Sequence, residues 1–164
     1  MDIAGHAVAP IAWGMWRFAG VNLAAARARI DAAFEAGVTL FDTADIYGFD
    51  TPGGFGSAET LLGEVFADAP GLREAMFLAT KGGIIPGVPY DSSAPYLASA
   101  IDVSLRRLRT DRVELWQIHR PDLLAHPQEI ARALEEAHRA GKIGAIGVSN
   151  FTPAQTAALA RFLP

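Results

Sequence analysis

Short apolar runs alternate along this chain with longer segments in which apolar residues recur every three or four positions. The runs Ala7–Trp13, Val38–Phe41, Ala75–Thr80, Val113–Ile118 and Ala145–Val148 read as β-strands. Between them lie amphipathic helices. Ala26, Ile30, Ala33 and Phe34 form one stripe, with Asn22 as a cap and Gly37 as a left-handed stop. Leu61, Leu62, Val65 and Phe66 form a second stripe behind a capping Ser57, with Glu59 at the positive N-terminal end. Leu97, Ile101, Ser104, Leu105 and Leu108 line a third, opened by Ser92 or Ser93 with Pro95 in the first turn. A fourth helix runs from about Pro127 to Arg139 and stops at Gly141, and Thr152-Pro153 opens a fifth.

Five βα units follow one another with no composition shift to mark a linker, so the chain reads as a single domain over residues 1–164. Strict alternation implies a parallel sheet. Gly14 and Gly20 after the first strand do not make the G-x-G-x-x-G turn of a doubly wound dinucleotide fold. The polar residues fit a TIM (β/α)8 barrel better, because three strands run directly into ionisable residues. The second ends in Asp42, with Tyr47 just beyond, the third in Lys81 and the fourth in His119. Parallel strands gather their C-terminal ends on one face, so these four side chains are expected to meet there. Five units do not close an eight-stranded wall, so the barrel is incomplete. The loops from Tyr47 to Gly56 and from Gly82 to Pro89 border the expected site, and the first, rich in glycine, is expected to be mobile.

Composition narrows the function. Half the residues are apolar, as in a globular core, and there is no cysteine, which removes thiolate chemistry and leaves redox work to a bound cofactor. A net charge of −4 gives no electrostatic reason to expect nucleic acid or an acidic membrane. The basic cluster Arg106, Arg107, Arg109 and Arg112 closes a helix, where cations favour the negative dipole end. No apolar run approaches the roughly 20 residues of a membrane span, and the start lacks a basic leader, so a cytoplasmic protein is expected. His6, His126 and His138 have no metal-ligand spacing and read as solvated. Trp13 and Trp16 read as substrate-pocket walls or rim packing, and Trp116 as core.

The segments Phe41-Asp-Thr-Ala-Asp-Ile-Tyr-Gly48, Ala79-Thr-Lys-Gly-Gly83, Ser104-Leu-Arg-Arg-Leu108, Ile118-His-Arg-Pro-Asp122 and Gly141-Lys-Ile-Gly-Ala-Ile-Gly-Val-Ser-Asn-Phe151 together resemble the aldo-keto reductase family in its bacterial oxidoreductase branch. The resemblance implies a (β/α)8 barrel, NADPH (NADP) as hydride donor and a small-molecule aldehyde or ketone as substrate. It places the catalytic tetrad on Asp42, Tyr47, Lys81 and His119. It places nicotinamide contacts on Ser149 and Asn150 and, by a looser match, on Gly14 and Met15. The family's three further strands, whose loops carry most contacts to the cofactor phosphates, have no counterpart here, so weak cofactor binding by this stretch is expected.

The residue types suit that chemistry. Carbonyl reduction needs a proton at the oxygen where negative charge builds up, and a tyrosine titrating near about pH 10 gives its proton more readily beside a cation. Lys81 would be that cation, Asp42 would keep it charged, and His119 would orient the substrate oxygen. Two other readings remain open. Lys81 at a strand end could form a Schiff base, as in an aldolase. Alternatively, the truncated barrel is a non-catalytic assembly module. Its open edges ask for a homo-oligomer or a complementing chain to cover them.

Overall fold

The computed structural model describes residues Met1–Pro164. It opens with a hairpin, β1 (Asp2–Ile3) and β2 (His6–Ala7), paired antiparallel. Five parallel strands follow: β3 (Ala12–Gly14), β4 (Leu40–Asp42), β5 (Phe77–Gly82), β6 (Val113–Ile118) and β7 (Ile143–Val148). They form one sheet in chain order. The helices are α1 (Leu23–Glu35), α2 (Ser57–Asp68), a single turn α3 (Gly71–Glu74), α4 (Ala94–Leu108), α5 (Pro127–Arg139) and α6 (Pro153–Ala160). The expected five βα units are all present, and the sheet stops at two edges, β3 and β7.

The first strand is shorter than its apolar run predicted. Ala4 and Gly5 both take positive φ, at 51° and 81°, which is the conformation of a tight primed hairpin turn, and the turn draws His6 and Ala7 into pairing with Asp2 and Ile3. Pro10, which has no amide N–H to donate, then separates the hairpin from β3. The second helix also starts differently from the expected Ser57 cap. Gly56, at φ 86°, occupies the cap position, and the Ser57 hydroxyl turns back to donate to the Gly48 carbonyl at 3.3 Å. Thr51 donates to the same carbonyl at 2.6 Å, so the long glycine-rich loop is stitched to its own beginning. Asn22 caps α1 through Ala25 N, as expected, and Thr152 forms a capping box with Gln155 on α6.

Strand alternation sorts the core into two faces. Phe41, Leu78, Trp116 and Ile118 face the helices and join a cluster of 26 buried residues with Ile30, Leu62, Leu97 and Leu134. Leu40, Phe77 and Ala79 face the other way. They pack beneath Val8, with Ile3 and Leu115, so the hairpin covers the N-terminal ends of the strands on the inner face. Glu59 does not lie free at the dipole end of α2. It is fully buried, accepting from Thr80 Oγ1 at 2.7 Å and from Arg107 Nη1 at 3.3 Å. Arg107 is therefore tied across to α2 and does not simply close α4.

The packing of α2 against α4 leaves no room for a side chain at Gly63, where a Cβ would stand 2.0 Å from the Arg107 carbonyl oxygen. Gly63→Ala is expected to lower stability by about 1–3 kcal/mol, measured by urea denaturation. An unchanged midpoint would show that the two helices separate freely.

Candidate active site at the strand ends

The same alternation that sends Leu40, Phe77, Ala79 and Leu115 inward sends Asp42, Lys81, Gln117 and His119 inward at the next level. Strand register sets them side by side, Lys81 opposite Gln117 and Asp42 one inward position earlier, opposite Ala79. Lys81 Nζ lies 2.6 Å from Asp42 Oδ2 and donates also to the Thr43 carbonyl at 2.9 Å. Gln117 Nε2 donates to the other carboxylate oxygen, Oδ1, at 2.9 Å. Lys81 is 3% exposed, so its ammonium depends on these neighbours.

Tyr47 is also buried, and its ring centroid is 5.0 Å from Lys81 Nζ. Two aromatic edges hold the phenol ring in place. Trp16 meets it at 5.0 Å and 72°, and the His119 imidazole at 5.9 Å and 77°. Asp42, Tyr47, Lys81 and His119 thus stand together at one rim, although they are spread over nearly half the chain. Burial, with the charges of Lys81 and Arg120 added, pushes the His119 imidazole down to about 4. Its ring is therefore neutral near pH 7. The Nδ1 atom is buried without a hydrogen-bond partner.

Ser149 follows β7, its amide bonded to the Ile118 carbonyl at 2.8 Å. Asn150, at φ 61°, donates from Nδ2 to the His119 carbonyl at 3.0 Å and to Ser149 Oγ at 2.9 Å. Both residues therefore adjoin His119. Gly14 is exposed at the end of β3, paired with Asp42. Met15 is different, because its side chain is wholly buried in the helix-side core and only its backbone borders the rim, donating to the Asp42 carbonyl at 2.9 Å.

Sequence reasoning missed Gln117, and although it placed Trp16 at the strand end it did not foresee the contact with Tyr47. Gln117 carries a readable signal, since it lies two residues after inward Leu115 and two before His119. The Trp16 contact depends on the path of the loop between Gly14 and Gly20, which has no periodicity to read. His126 is exposed, as expected of a solvated residue, and also caps α5 by accepting from Gln128 N at its Nδ1.

The sequence pattern of the aldo/keto reductase family matches residues 10–163. The chain belongs to that family. A 6-dehydroglucose reductase from Novosphingobium aromaticivorans is 61% identical over 162 residues, covering 98% of this chain and 53% of the relative. A 6-dehydroglucose reductase from Agrobacterium fabrum is 39% identical over 155 residues, covering 87% of this chain and 50% of the relative. Among solved structures, a glycerol dehydrogenase from Gluconobacter oxydans superposes with a TM-score of 0.81 at 33% identity over 96% of this chain and 49% of its own length. The chain spans about half the length of the curated relatives it matches, and its five-stranded sheet corresponds to part of the family's TIM barrel. No helix is long and apolar enough to cross a membrane.

The depressed His119 titration has a visible consequence. In the NMR spectrum, the imidazole resonance that His119→Gln removes is expected to titrate near pH 4. The unfolded chain binds that proton at about pH 6.5, so this group's contribution to stability is complete above that pH and is lost as pH falls toward 4. Titration of that resonance at the ordinary histidine value would show an open, hydrated ring.

Proposed function

We propose that this stretch carries the proton-donating half of an NAD(P)H-dependent carbonyl reductase acting on a hydroxylated aldehyde of the 6-dehydroglucose type. The observation that carries the reading is the Asp42–Lys81 ion pair beneath Tyr47, with the His119 ring edge-on alongside. The 61% identical relative supports the substrate class by its name.

Tyr47 gives its proton to the carbonyl oxygen as negative charge develops there. The Lys81 ammonium steadies the phenolate left behind, and Asp42, held in turn by Gln117, keeps the ammonium in place. His119 donates from Nε2, which makes no bond within the chain, and thereby orients the substrate oxygen. The residues suit a nicotinamide carboxamide: the Ser149 hydroxyl proton and Asn150 Oδ1 make no bond within the chain, one able to donate and the other to accept. The bound cofactor would supply the hydride. Ser149, Asn150 and the backbone at Gly14 and Met15 reach its nicotinamide end alone, so this stretch by itself holds NADPH weakly.

The Schiff-base reading loses ground on the same geometry. An ammonium that donates to a carboxylate and a carbonyl has no free electron pair for attack on a substrate.

Two measurements test the proposal. Fluorescence titration of the 164-residue chain with NADPH is expected to give a dissociation constant weaker than about 1 μM; tighter binding would show that phosphate contacts are not needed. A chimera in which this stretch replaces the matching half of the Novosphingobium relative is expected to oxidise NADPH with an aldehyde. Tyr47→Phe in that chimera should slow turnover at least about 100-fold with cofactor affinity nearly unchanged. Undiminished turnover would remove Tyr47 as proton donor.

A further inference from the structure

On the helix side of the rim lies a cavity of about 320 Å³ that the reductase reading does not use. It opens between Phe55 and the Ile85-Pro86 segment on one side and the α4 residues Tyr96, Ala100 and Val103 on the other, with Asp45 and Arg107 completing the wall. Most of this lining is apolar. The charges are unbalanced, because two buried acids share the region with one base.

Arg107 is committed to one of those acids. Its guanidinium bonds Glu59 at 3.3 Å, stacks over the Phe55 ring at 5.2 Å and is pinned against Gly56, where a Cβ would come within 2.2 Å of Cζ. Glu59 is satisfied further by Thr80 Oγ1. Asp45 has no cation of its own. It is 2% exposed, its Oδ2 accepts from the Tyr96 hydroxyl at 3.1 Å, the Ile46 amide adds at most a weak contact, and its Oδ1 has no close partner. Asp45 lines the cavity, and its unfilled oxygen lies just behind the surface, so a ligand cation meets it after a small side-chain rotation and supplies the hydrogen bond the buried carboxylate lacks.

We propose that this cavity is a binding site for a small apolar primary amine, its ammonium on Asp45 and its hydrocarbon body between Phe55, Ile85 and Val103. The volume agrees with that class, since a cavity of about 150 Å³ already holds benzene, leaving space here for a ring and an aminomethyl group. An anion is disfavoured because it would face Asp45 with Arg107 already engaged by Glu59. The acid's own titration agrees in direction: burial and the neighbouring Glu59 raise Asp45 to about 7, while the Tyr96 hydroxyl and Arg107 pull it down. An ammonium needs the carboxylate form, so affinity rises as pH is raised through that value. The site adjoins the rim, because Asp45 N donates to the Lys81 carbonyl at 2.9 Å, yet it stands or falls apart from carbonyl reduction.

The test is NMR titration of the 164-residue chain with benzylamine, benzyl alcohol and benzoate. Benzylamine is expected to saturate one site, shifting amides of α4 between residues 96 and 103 more than those of His119 or Ser149, with the alcohol and benzoate at least about tenfold weaker. Asp45→Asn is expected to cost about tenfold, and Val103→Phe to abolish binding by filling the cavity. Should Asp45→Asn fail to fold, the pH profile of the unaltered chain reads the same group, with benzylamine binding several-fold tighter near about pH 8 than near about pH 6. Absence of saturation, equal binding of benzoate, shifts centred on His119, or a flat pH profile would each overturn the assignment.

Discussion

An ammonium on a side chain only 4% exposed persists in a folded protein only where oxygens replace its lost water, and Lys81 finds them in the Asp42 carboxylate and the Thr43 carbonyl. Both come from the end of β4, the strand beside its own. The pair is a poor device for stability, since apolar residues of the same volume would pack there at no greater cost. What it supplies is a fixed positive charge beneath a phenol. The rest of the rim follows from holding it: Gln117 completes the carboxylate, Tyr47 covers the ammonium, and His119 closes on Tyr47 from the next strand.

The pleat makes this arrangement available. Parallel register places Asp42, Lys81 and Gln117 on the face turned away from the helices, each one inward position beyond an apolar neighbour on its own strand, Leu40, Ala79 and Leu115. A slip of one residue in β5 would turn Lys81 into the helix-side core and bring Thr80 to the rim. Thr80 is instead engaged by buried Glu59 on that other side, and Gly82 is fitted so closely to Trp116 that a Cβ would stand 2.8 Å from its ring. These contacts hold β5 in register from behind. The fold and the candidate chemistry therefore depend on the same strand positions.

Much of this was legible before any coordinates. Strand identity and order followed from apolar runs between amphipathic stripes, and the convergence of Asp42, Tyr47, Lys81 and His119 followed from strand polarity alone. The motifs led to the family that the comparisons then showed. What the sequence hid has physical causes. The β1–β2 hairpin depends on two positive-φ residues, one of them an alanine that gives no turn signal. The burial of Glu59 could not be seen because its partners, Thr80 and Arg107, lie 21 and 48 residues away. Met15 borders the rim through its backbone alone, because the turn after β3 sends its side chain into the core. Asp45 carries no distinguishing signal in the sequence, and only its burial and unfilled oxygen set it apart.

The site as a whole requires Lys81 to be a caged ammonium in contact with Tyr47, and the chain's two lysines, Lys81 and Lys142, make that directly measurable. Lysine-selective ¹⁵N NMR observes side-chain ammonium protons when their exchange with water is slow. Lys142 is well exposed in its pair with Asp102 and serves as the internal contrast. A slowly exchanging ammonium signal from Lys81, with cross-relaxation to the Tyr47 ring, is the predicted result. A Lys81 signal that exchanges as fast as that of Lys142 and shows no contact with Tyr47 would contradict the site as described.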